Sequence, residues 1–101
     1  MTMTLDSKKI ERISKALGDP YRLKIMHAIM KQEKQDKGVC SMPCSNLVEM
    51  IDLAQSTVSH HIKQLVDADL LIAEKEGRNA KYMINKEVFN AYVDFLKPFA
   101  S

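Results

Sequence analysis

Between positions 55 and 66 the chain carries two chemistries on one helical period. Val58, Ile62, Leu65 and Val66 fall at i, i+4, i+7 and i+8, which draws a single apolar stripe down a helix. The opposite face holds Gln55, Ser56, Thr57, Ser59, His60, Lys63 and Gln64, short or planar hydrogen-bonding side chains with one cation and no carboxylate. An ordinary solvated helix face uses Glu and Lys, strong helix formers that need no partner; this one gives up helix propensity. Such a face suits the major groove, where base edges offer donors and acceptors and phosphates repel acids. Positions 71–76 and 80–84 then read as a β-hairpin closed by Gly77-Arg78-Asn79, since Gly and Asn tolerate the positive φ of a tight turn. Helix plus basic hairpin reads as recognition helix plus wing.

On these residues the chain resembles the ArsR/SmtB family of winged helix-turn-helix repressors. Ser-Thr-Val-Ser-His-His-Ile-Lys-Gln-Leu (56–65) is similar to that family's recognition helix, Leu-Gly-Asp-Pro-Tyr-Arg-Leu-Lys-Ile (17–25) to its helix entry upstream, and Gly77-Arg78 through Tyr82 to its wing. The similarity covers roughly residues 10–96, with the three motifs in the family's order. It implies a mainly α fold with a small β-hairpin, dimerised through its first and last helices, and binding to double-stranded DNA at a pseudo-palindromic operator. By the same resemblance Ser56, Thr57, Ser59 and His60 lie nearest the bases. Gln55, Lys63 and Gln64 flank them or meet phosphates, and Arg78, Asn79 and Lys81 form the wing's contacts with the minor groove or backbone.

A length of 101 residues supports one domain, spanning 1–101, with a core small enough that dimerisation would aid stability. The net charge of +2 does not itself argue for nucleic acid; a site-specific binder needs its charge placed rather than plentiful. No apolar run approaches membrane-spanning length and the first residues lack a signal-peptide core, so a cytoplasmic protein with no membrane partner is expected.

Along the chain, Ile10, Ile13 and Leu17 mark a first helix stopped near Gly18. Asp19-Pro20 restarts the chain as cap and first helical residue. Leu23, Ile25, Met26, Ile29 and Met30 make a second, buried helix. Positions 31–37 read as a frayed helix end running into a solvated loop, and Leu47, Val48, Met50 and Ile51 as a short helix before the recognition helix. The last helix carries Val88, Phe89, Tyr92, Val93, Phe95, Leu96 and Phe99, an apolar arc too wide for one small domain to cover. That excess reads as a subunit interface.

Cys40 and Cys44 leave three readings open: inert thiols, a redox or electrophile switch, or a soft-metal site completed by an outside ligand. No cofactor is otherwise implied. A Cys-x-x-x-Cys disulfide is sterically possible, and Pro43 favours a non-helical turn between the two. His60 and His61 point roughly 100° apart on a helix, so they do not chelate together. In the family's zinc site on the last helix, the ligand positions correspond here to Lys86, Val88 and Phe99, so that site is absent. Three glycines form no phosphate-cradling loop, and no nucleophile–His–acid set is discernible, which argues against an enzyme. The rival reading is a winged-helix protein-interaction module without DNA binding, which should carry acids or apolar groups on the 55–64 face.

Overall fold

In a computed structural model, which describes residues 4–35, 42–43, 53–76 and 79–101, helix α1 (Ser7–Leu17) starts where the Asp6 carboxylate accepts the Lys9 N–H at 2.7 Å. It buries Ile13 and Ala16. Gly18 ends it as expected, yet with φ −79, so the left-handed freedom of glycine is not used. The exposed carbonyls of Lys15 and Ala16 are instead taken by the Arg22 guanidinium, at 3.3 and 2.6 Å. Helix α2 (Pro20–Gln35) begins as Asp19-Pro20 predicts, with Asp19 Oδ1 accepting from the backbone of Tyr21 at 2.8 Å and Arg22 at 3.2 Å.

Two expectations for α2 need correction. The helix does not fray at Lys31 but continues to Gln35, through residues that are themselves good helix formers. A tertiary bond reinforces this end: Glu33 Oε1 accepts the backbone N–H of Ile84 at 3.0 Å. Nor is the helix wholly buried. Ile25, Met26 and Ile29 enter the core, whereas Leu23 remains 43% exposed.

A two-residue strand β1 (Met42–Pro43), not foreseen from sequence, pairs antiparallel with the later strand β3 (Asn79–Ile84), Met42 opposite Tyr82. Pro43 is tolerated there because β1 lies at the sheet edge. The helix expected across 47–51, together with Cys40, Cys44 and Arg78, lies outside the described residues.

Helix α3 (Gln55–Asp67) ends in a Schellman turn: Leu70 N–H reaches Leu65 O at 3.0 Å and Asp69 N–H reaches Val66 O at 2.9 Å. Asp69 takes the left-handed position, φ 61, usually given to glycine. Strand β2 (Leu71–Glu76) follows and pairs with β3 from Leu71↔Ile84 to Glu76↔Asn79, giving the order β1-β3-β2. Asn79 is therefore the first strand residue rather than part of the turn, because the ladder closes on it. Helix α4 (Lys86–Leu96) is capped by Asn85 and runs into a single 3-10 turn, Lys97–Ala100. Ile13, Ile25, Ile29, Val58, Leu65, Leu70 and Val88 are the fully buried side chains on which α1, α2, α3 and α4 converge.

Candidate nucleic-acid interface

Rotation of α3 about its axis is fixed by its apolar stripe. Val58, Ile62 and Leu65 are 0%, 2% and 0% exposed, and burial of each such side chain contributes about 1.5–3 kcal/mol. Turning the helix would forfeit that burial, so the opposite face is held outward. Gln55, Ser56, Thr57, Ser59, His60, Lys63 and Gln64 are all exposed, and α3 carries no carboxylate before Asp67.

The start of α3 favours anions. Ala54 supplies no side-chain cap and the first turn holds no acid. A helix beginning without either presents N–H groups and the positive end of its dipole to a nearby phosphate. On one flank, a hollow of about 500 Å³ between α1 and α3 joins Gln64 to the cations Arg12, Lys15 and Arg22, with Asp67 also on its wall.

A cluster at the entry to α2 orients the helix. His61 is half-buried; its ring stacks on Tyr21 at 6.0 Å, and its Nδ1 lies 3.4 Å from Arg22 Nη1. Of the adjacent pair, His60 thus faces solvent with the polar set while His61 ties α3 to α2. Asp19 completes the cluster. Desolvation acts to raise its carboxyl pKa, but the N–H bonds from Arg22 and Tyr21, and then the charges of His61 and Arg22, outweigh this and hold it below its ordinary 3.8. This cluster was not anticipated. Its one legible signal is that Gly18 ends a helix whose last carbonyls need donors, with Arg22 a few residues on.

In the wing, Tyr82 and Ile84 pack against the core, which puts Lys81 on the other face of β3 by strand alternation. The register sets Lys81 opposite Glu74, so its ammonium has a carboxylate for a cross-strand neighbour. Asn79 stands at the mouth of the hairpin, its backbone opposite that of Glu76. Among the described residues, no three or more His, Cys, Asp or Glu side chains are grouped to hold a metal ion. No helix among them is long and apolar enough to cross a membrane.

Two kinds of known protein share this arrangement. Residues 17–72 match the family model described as a helix-turn-helix domain. The arsenical resistance operon repressor of Bacillus subtilis (strain 168) is 36% identical over 83 residues, 82% of this chain and 72% of the relative. That of Staphylococcus xylosus is 35% identical over 81 residues, 79% of this chain and 69% of the relative. Among solved structures, an ArsR family transcriptional regulator, RHA00566, superimposes with a TM-score of 0.78 at 26% identity, covering 97% of this chain and 93% of the other.

Proposed function

The chain belongs to the ArsR family of winged helix-turn-helix transcriptional regulators, and from that premise we propose that it is a homodimeric repressor whose α3 enters the major groove of a pseudo-palindromic operator. The carrying observation is the acid-free polar face of α3, locked outward by its buried stripe. Ser56, Thr57, Ser59 and His60 read base edges. Gln55, Lys63 and Gln64 hold the flanking phosphates, and Arg78, Asn79 and Lys81 carry the wing's contacts. A protein-interaction module would need acids or apolar groups on that face, and it has neither.

Two copies would place their α3 helices in successive major grooves, about 34–36 Å apart. The surface available for pairing includes Val93, Phe95, Leu96 and Phe99, exposed by 48%, 40%, 40% and 78%. An effector acts by preferring one dimer geometry, changing the spacing between the two helices. The arsenical-resistance repressors among its relatives favour a thiophilic effector. Cys40 and Cys44 are the thiols on which a soft ion or an oxidant would act, a soft ion with an outside donor completing its coordination.

Alanine substitution across α3 tests the reading. Ser56→Ala and Thr57→Ala should narrow the gap between operator and random DNA by about 1–3 kcal/mol, with non-specific affinity unchanged. Unchanged discrimination in both variants would remove α3 from the base contacts.

A further inference from the structure

An open hollow lies at the other end of the molecule's apolar surface. It measures about 460 Å³ and is lined largely by Leu17, Leu23, Met26, Ile84 and Phe89, with Lys86 and Glu33 among its ionisable groups. Lys86 and Phe89 belong to the first turn of α4. Beyond the far end of the same helix stands Phe99, 78% exposed, edge-on to Phe95 at 5.8 Å. The molecule thus carries an apolar hole and an aromatic knob at opposite ends of one helix.

Their spacing is self-complementary. Phe89, Val93 and Leu96 recur at i, i+4 and i+7, a single row along α4. Reflected about the midpoint between Tyr92 and Val93, Phe89 exchanges with Leu96, and Lys86 exchanges with Phe99. A two-fold axis makes residue i of one copy meet residue j of the other and the converse, so antiparallel α4 helices centred there are brought into that register. We propose that Phe99 of each copy seats in the hollow of its mate, against Phe89 and beneath Lys86, whose ammonium can lie over the ring face. The occupant is a second copy of this chain because the hole and the knob sit at equal distances from one centre. The seat rests on the dimer proposed above and adds its register. It also carries the dimer contact to the base of the wing, since Glu33 and Ile84 share the hollow and a hydrogen bond.

The chain contains no tryptophan, so Phe99→Trp supplies a single reporter. Its emission should move to shorter wavelength as concentration rises through the dimerisation midpoint seen by sedimentation. Leu23→Asp, at a half-exposed position of the hollow, should return that emission to the solvent-exposed value in the double variant. Phe99→Ala should weaken the dimer by about a hundredfold, two aromatic seats being lost per dimer. A dimer in which the reporter indole stays solvent-exposed at every concentration overturns the seat and leaves the dimer standing. A chain that stays monomeric to high concentration overturns both.

Discussion

Arg22 connects more of the molecule than any single side chain named by pattern. It closes the end of α1, donates its backbone N–H to the Asp19 cap, and touches His61 on α3. Arg22→Ala should therefore cost about 1.5–3 kcal/mol, the range for hydrogen bonds made by a charged group, read as a lower urea midpoint at unchanged slope. Arg22→Lys should recover little, because an ammonium cannot reproduce the fork that spans two carbonyls. Asp19 gives the pH counterpart. Its folded pKa is lowered, so its contribution is present above the ordinary value of 3.8 and is lost as pH falls through the lower folded value. Asp19→Asn should flatten the stability profile in that acid window and leave it parallel to the wild type near neutrality. Asp69, left-handed at the end of α3 and paired with Lys9, is a third case. Asp69→Val should destabilise by about 1–3 kcal/mol, because a β-branched residue resists that conformation, whereas Asp69→Gly keeps the turn. None of these roles shows in a hydrophobic pattern, since each is a polar bond between residues that no periodicity relates.

Helices were legible where burial set a period. The stripe of Val58, Ile62 and Leu65 foretold both the span of α3 and the face it turns to solvent, and Asp19-Pro20 foretold the start of α2. The end of α2 was not legible, because 31–35 is uniformly polar and its continuation depends on Glu33 finding Ile84 across the fold. Strand β1 was hidden for a related reason: two residues are too few to show alternation, and only the partner strand makes them a strand. In the hairpin both strands were foreseen, with the boundary at Asn79 displaced by the ladder itself. The wing also sets its own prediction. Arg78→Ala should weaken specific and random DNA alike and lower the slope of log K against log salt by about 0.9, the loss of one phosphate contact. Lys81→Ala should change that slope less, because Glu74 stands opposite it in the register. A full unit lost at Lys81 would show that the cross-strand acid does not shield it.

The whole molecule joins a DNA-reading face to an apolar face through one small core. Ser14 and Tyr92, 2.8 Å apart, hold α1 to α4, so the two helices expected to form the interface move together. Their apolar excess was legible in the last helix, while the hollow that complements Phe99 depends on Leu17, Leu23 and Ile84 meeting from three different elements. Effector response belongs at this scale too. Mild oxidant or a soft metal ion should lower operator affinity in the wild type, and Cys40→Ser should abolish the response. Affinity untouched by either agent would assign the thiols an inert role and move the effector elsewhere. The central claim, a symmetric dimer reading DNA through two copies of α3, is tested most directly by selecting bound sequences from a random duplex pool and footprinting the winner. The account predicts an inverted repeat protected in two major grooves, its half-sites separated by one helical turn of about 10–10.5 base pairs or a multiple of it. Recovery of a single asymmetric half-site protected by one protomer, or no enrichment over random DNA, would contradict it.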